Sequence, residues 1–204
     1  MVTVKLYVEG GGDFKKLQSQ CRQGFRTFLE KAGFKGHMPR IVSCGGRREA
    51  YDRFNTACRS KEEISLLLID SEEFVSSNVS PWNHLSNRSG DGFTKPSNAT
   101  DDQCHLMVVC MESWFLADRV ALHKFFGQGF NANALPQNSN IEFISKKDVY
   151  DGLQNATSHC KPKAPYGKGE HSFKILGLIN PTKVCAVSPW AKRFLDALKI
   201  FINS

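Results

Sequence analysis

The stretch that most constrains the fold is ISLLLI, residues 64–69. It is a continuous apolar run, too short for an ordinary helix and bounded by polar residues. Such a run is a strand covered on both faces, as in a parallel sheet whose connections return over it as helices. The segments before it agree. Residues 3–8 (TVKLYV) and 40–44 (RIVSC) read as two further strands. Between them Phe14, Leu17, Cys21, Phe25, Phe28 and Leu29 recur at three- and four-residue steps, a helical stripe that Gly33 ends. Ala50, Tyr51, Phe54, Ala57 and Cys58 form a second stripe. Strand, helix, strand, helix, strand predicts an α/β fold: a mainly parallel central sheet with helices on both faces.

After residue 69 the rhythm changes. Residues 76–103, rich in Ser, Asn, Asp and Gly, read as a long loop or insertion with a short helical turn near Trp82 to Leu85. Residues 105–110 (HLMVVC) read as a fourth strand, and Glu112 to Phe126 as a helix. Residues 141–144 read as a small strand, and residues 146–157 and 171–178 as helices. A last helix starts at Ser188-Pro189, a cap followed by a first-turn proline. Residues 145–204 are thus a mostly helical elaboration of a single domain spanning residues 1–204, a length suited to one core. No apolar run approaches the ~20 residues that cross a bilayer, and the N-terminus lacks a signal-peptide layout. The expected location is cytoplasmic, with no membrane partner. Seven cysteines without a CxxC pair fit reduced thiols and exclude a zinc ribbon.

Acidic residues fall where the predicted strands end. Glu9 and Asp13 bracket three glycines after the first strand. Asp70, Glu72 and Glu73 follow ISLLLI, and Glu112 follows HLMVVC, with Asp118 beyond it. In a doubly wound sheet, ligands bind beyond the carboxyl ends of the strands. Carboxylates gathered there repel one another and are costly to bury unpaired. A hard divalent cation, Mg²⁺ or Mn²⁺, resolves both problems, with Asp70 and Glu72 as ligands and the glycine loop giving close access to main chain. Asp13 and Glu112 are also placed to cap a helix or sit in its first turn. Asp118 suits a helix surface or a salt bridge.

The charge distribution points to a polyanion. Residues 1–62 carry 13 of the 27 lysines and arginines against 6 of the 20 acids, so the whole formal excess of +7 lies there. A basic face favours nucleic acid. Arg47 and Arg48, after a glycine turn at a strand end, suit a phosphate at a helix start. Lys163, Lys168 and His171, in or beside the late basic loop, suit phosphate stabilisation and proton transfer. Trp82 in the polar insertion is a candidate base-stacking platform, whereas Trp114 and Phe115 read as core.

VEGGGD resembles the first motif of TOPRIM domains, and LLIDSEE their second, an Asp-x-Glu variant of the strand-end Asp-x-Asp. Along most of its length the chain is similar to small stand-alone bacterial TOPRIM-like proteins of unknown function, through YVEGGGD, VSCGGRREAYDRF, LLLIDSEE, MVVCMESWFLAD and YGKGEHSFKIL. The resemblance implies a Rossmann-like fold and metal-assisted phosphodiester chemistry. It makes Glu9 a general acid/base or metal ligand, Asp70 and Glu72 metal ligands, and Asp13 a supporting acid. Glu112 matches only the narrower family. It also implies an association with an ATPase in phage defence. The expectation is a Mg²⁺- or Mn²⁺-dependent nuclease acting on DNA or RNA. The alternatives are a non-catalytic regulatory subunit of an ATPase complex and a small-molecule phosphatase or phosphotransferase.

Overall fold

The computed structural model describes residues 3–60, 62–163 and 165–203. Four strands, β1 (Thr3–Val8), β2 (Arg40–Ser43), β3 (Glu63–Asp70) and β4 (Cys104–Met107), form one sheet in the order β2-β1-β3-β4, parallel throughout. The apolar run behaves as its composition demands. Leu66 and Leu68 point to one face, Leu67 and Ile69 to the other, and all four have no exposure. Helix α1 (Lys15–Leu29) connects β1 to β2, and α2 (Arg47–Ala57) connects β2 to β3. The chain therefore moves outward from β1 to β2, then returns across β1 to β3. Its direction reverses between β1 and β3, whose carboxyl ends form the switch point where such sheets leave a crevice.

Residues 76–103 are packed down rather than loose. They contain α3 (Pro81–Asn87), and Phe93 stacks on Tyr51 of α2 with ring centroids 4.4 Å apart. Trp82 meets Tyr51 edge-on and is 3% exposed, its indole N–H donating to the Thr100 carbonyl. The stacking-platform expectation for Trp82 is therefore corrected: the ring is core. Trp114 and Phe115 are core as expected, Trp114 stacked on Phe28.

Three other elements differ from the sequence reading. The fourth strand is shorter, because Val109 turns into the left-handed region (φ 65°). The helix expected from Glu112 is split into a 3₁₀ segment, Met111–Ala117, and α4 (Arg119–Phe126). The break is at Asp118, whose carboxylate accepts from the N–H groups of Ala121 and Asn180 and from Lys183. It is a buried joint between two helix starts, not a surface acid. The small strand expected at 141–144 is a 3₁₀ turn, Ile141–Phe143. Beyond it lie α5 (Lys146–Thr157), α6 (Lys168–Leu178), α7 (Pro181–Val187) and α8 (Pro189–Asn203). No helix is long and apolar enough to cross a membrane among the described residues.

Candidate metal centre

Glu9 leaves β1 at the switch point. Its N–H donates to the Leu68 carbonyl (3.0 Å), continuing the sheet by one residue. Gly10 then pairs with Gly45 through two backbone hydrogen bonds (2.8 and 2.9 Å), and Ser43 Oγ donates to the Gly10 carbonyl. Gly10, Gly11 and Gly12 all have positive φ (137°, 90° and 50°), which is why this loop needs glycine. A Cβ on Gly11 would also lie 2.3 Å from Ser43 Oγ. The loop is folded tightly enough to aim the Glu9 side chain across to β3.

There Glu9 Oε2 accepts from the Asp70 N–H (3.2 Å). Asp70 ends β3, 4% exposed, and its Oδ1 accepts from the Met111 N–H (2.9 Å). Glu72 is held in the left-handed region, φ 71°, by its N–H donating to the Val109 carbonyl (2.9 Å). Ser71 locks the same turn, its N–H donating to Met107 O and its Oγ accepting from Val109 N–H. Backbone strain at a non-glycine residue costs on the order of 1–3 kcal/mol and persists where neighbours over-determine it. Its result is that one carboxylate oxygen from each of Glu9, Asp70 and Glu72 lies within 4.8 Å of the others.

Cations offset part of this charge. Arg47, at the start of α2, donates to Glu9 Oε2 (3.4 Å) and to the Asp70 carbonyl, and makes a two-pronged pair with Asp91. Lys146 Nζ donates to Glu72 Oε2 (2.5 Å). Glu72 faces a cation with each oxygen, Oε2 toward Lys146 and Oε1 toward Arg47 at 4.0 Å, whereas Glu9 uses Oε2 and Asp70 Oδ1, so Oε1 of Glu9 and Oδ2 of Asp70 are the oxygens these contacts leave for a ligand. Asp70 and Glu9 are still shifted upward. Burial raises the pKa of Asp70 well above its ordinary 3.8, the charges of Glu9 and Glu112 add to it, and Lys168 and Lys146 only partly oppose them. Burial likewise raises Glu9, against the lowering effects of Arg47 and the Asp70 N–H. A site in which burial and neighbouring charge disfavour bare carboxylates at Asp70 and Glu9, built of hard oxygen donors, fits a small divalent cation.

Beside the acids is a cavity of about 250 Å³, lined by Glu9, the Gly10–Gly12 loop, Asp70, Glu112, Lys168 and Ser172. Glu112 has no exposure; its Oε1 accepts from the hydroxyls of Tyr166 and Ser172 (both 3.1 Å). Its Oε2 has no hydrogen-bond partner, and neither has the buried Tyr150 hydroxyl. Burial first, and then the Glu112 charge, push the Tyr150 phenol upward, so phenol and carboxylate sense one another although their geometry does not make a hydrogen bond. Lys168, at the start of α6, is charged: burial works against it, but Glu112 and Asp70 more than offset that and raise its pKa.

The remaining sequence candidates divide clearly. Glu9, Asp70 and Glu72 come together, and Glu112 and Lys168 line the cavity beside them. Asp13 does not join them; it is exposed on the loop, and α1 starts without a side-chain cap. Arg47 is in the site, but as an internal counter-ion 15% exposed, not a surface phosphate ligand. Arg48 is exposed, donates to the Asp91 carbonyl and covers the Phe93 ring. Lys163 is elsewhere, donating to the Phe125 carbonyl and lying over its ring. His171 is 2% exposed among Phe125, Phe126 and Tyr166, accepts from the Gly167 N–H, and is not part of the cavity wall. A proton shuttle through His171 is not what this geometry offers. Sequence reading missed Asp91, Lys146, Tyr166 and Ser172; Tyr166 and Ser172 fall in the stretch YGKGEHSFKIL, which was a signal for them, whereas nothing local distinguishes Asp91 and Lys146 from other polar residues.

The cysteines take no part in the acidic cluster. All seven are free thiols. Burial pushes Cys44 and Cys58 up to about 11 and Cys21 and Cys110 up to about 12, which keeps them protonated and unreactive.

Residues 8–199 match the family described as "Domain of unknown function (DUF4276)", and the chain belongs to that family. No curated protein and no solved structure matches it.

Proposed function

We propose that this DUF4276 member is a Mg²⁺- or Mn²⁺-dependent nuclease, hydrolysing phosphodiester bonds through a TOPRIM-like centre. The observation that carries the reading is the convergence of Glu9, Asp70 and Glu72 within 4.8 Å at the switch point. It is supported by the resemblance of VEGGGD and LLIDSEE to the two TOPRIM motifs.

In this reading Glu9, Asp70 and Glu72 would hold the ion, which supplies charge stabilisation at a phosphoryl oxygen and acidifies water. The chain's own residues do the rest. Lys168, kept charged by Glu112 and Asp70, sets a positive group in the wall of the same cavity. Glu112, tied by Tyr166 and Ser172, fixes that wall. Arg47 fixes Glu9 relative to the end of β3. The left-handed turn at Glu72 keeps its carboxylate facing the other two. The basic first third steers nucleic acid toward the site. An ATPase partner enters only through the resemblance.

The non-catalytic alternative is favoured by one observation: Arg47 and Lys146 already supply counter-charges to Glu9 and Glu72. The test that separates the two is Mn²⁺ titration by calorimetry, followed by cleavage of labelled DNA and RNA. The nuclease reading expects one site that binds Mn²⁺ and cleavage that Glu9→Gln abolishes. Absence of Mn²⁺ binding at millimolar concentration sinks it. Hydrolysis of nucleotides but not of polynucleotides would move the reading to a small-molecule phosphatase.

A further inference from the structure

Two phenylalanines stand out of the protein beside the acids. Phe74 is 44% exposed and Phe143 57%, and their rings stack on each other with centroids 4.2 Å apart, 21° from parallel. Hydrophobic burial favours hiding such rings, and each has a buried neighbour in sequence that shows the interior was within reach. Val75 is 3% exposed, and Ile141, Glu142 and Ile144 are all buried. Phe143 is exposed between buried neighbours, and Phe74 is exposed directly before buried Val75.

The pair is also held rigidly. Trp190 of α8 donates its indole N–H to the Val75 carbonyl (3.1 Å), next to Phe74. The backbone N–H of the same Trp190 donates to Glu142 Oε1 (3.2 Å), next to Phe143, and Ser188 Oγ donates to that oxygen as well (2.6 Å). One residue thus anchors both halves of the stack. The same two segments make the ion pair at the candidate centre, since Glu72 is two residues before Phe74 and Lys146 three residues after Phe143. The aromatic surface and the metal-binding carboxylates are therefore fixed relative to one another.

We propose that the Phe74–Phe143 stack is a platform for an unpaired nucleobase, which makes single-stranded nucleic acid the substrate of the adjacent centre. The inference rests on the nuclease reading and deepens it. Rings 4.2 Å apart leave no room for a base between them, so the base lies on an outer face. A flat apolar surface accepts any base, because every base has a π-face; duplex ends aside, paired bases cannot reach it.

The test is fluorescence anisotropy in EDTA with three probes of equal length: a natural single strand, an abasic single strand with the same phosphates, and a duplex. Wild type should bind the natural strand more tightly than the other two. Phe74→Ala and Phe143→Ala should each weaken natural-strand binding by about 5- to 150-fold, down to the abasic level. Their salt dependence should not change, since no phosphate contact is lost. Phe143→Trp should retain binding, and unchanged thermal unfolding of the alanine variants shows that the fold is intact. Equal binding of natural and abasic strands overturns the platform. So does a change of sedimentation in the alanine variants without loss of oligonucleotide binding, which would make the pair a contact between copies. Failure of the nuclease reading shows separately, as absence of Mn²⁺ binding in a titration that neither phenylalanine affects.

Discussion

Changing Asp70 to Asn tests the electrostatic argument at its centre. Asn preserves the shape and retains an oxygen for the Met111 N–H. It removes the charge. At an effective dielectric of about 20, two unit charges 4.8 Å apart repel by about 3.5 kcal/mol. Asp70 faces Glu9 and Glu72 at no more than that separation. Arg47 and Lys146 offset much of the repulsion, so the relief on neutralising Asp70 is on the order of 1–3 kcal/mol. For a domain of this size that is a rise in Tm of roughly 2–12 °C without metal. The sign depends on pH. Asp70 has a raised pKa in the folded state, so the folded wild type binds more protons than the unfolded chain. The Asp70 contribution to stability is therefore fully present at acid pH and is lost as pH rises from the ordinary value of 3.8 through the raised one. The Asn variant should be more stable than wild type at pH 8, and the advantage should shrink on acidification. With Mg²⁺ or Mn²⁺ at pH 8 wild type should gain about 2.7 kcal/mol on the Asn variant at a hundredfold excess over Kd, because only wild type gains the full binding energy. The assay is thermal unfolding at both pH values, with and without metal. An Asn variant less stable than metal-free wild type at pH 8, or one that gains as much from metal as wild type does, refutes the reasoning.

Other substitutions probe the frame around the acids. Arg47→Ala leaves Asp91 buried with only Arg88 as an ionic partner, and removes the link from α2 to Glu9; it should cost about 3 kcal/mol in urea unfolding, and a cost below about 1 would mean that Arg47 is a surface residue in solution. Gly11→Ala forces a Cβ into Ser43 Oγ and a left-handed backbone; it should cost at least about 2 kcal/mol and abolish metal binding in the same calorimetric titration, and a neutral outcome would contradict the loop conformation. Glu112→Gln removes the largest influence holding Lys168 charged, so burial should then lower the Lys168 pKa, as followed by NMR titration of its ε-methylene; an unchanged value would detach Glu112 from the cavity wall.

What the sequence determined by itself was the local part. ISLLLI is apolar but for Ser65 and does not alternate, and with its short length that points to a strand covered on both faces. The stripe from Phe14 to Leu29 has helical spacing, and α1 ends where it does. Acids at two strand ends, with glycines after the first, marked Glu9, Asp70 and Glu72, because parallel strands carry their carboxyl ends to one edge of a sheet. Tertiary structure decided the rest. Arg47 meets Asp91 across 44 residues, and Lys146 meets Glu72 across 74. No periodicity spans such distances; these pairs exist because the packing of residues 76–103 on α2, and of α5 near the end of β3, brings them within reach. The same cause turned Trp82 inward and Phe74 and Phe143 outward. An aromatic residue in a polar loop has the same composition whether its ring faces core or solvent. Which it faces depends on what folds over it, and here Tyr51 and Phe54 cover Trp82, while Trp190 anchors Val75 and Glu142 and leaves the two phenylalanines at the surface.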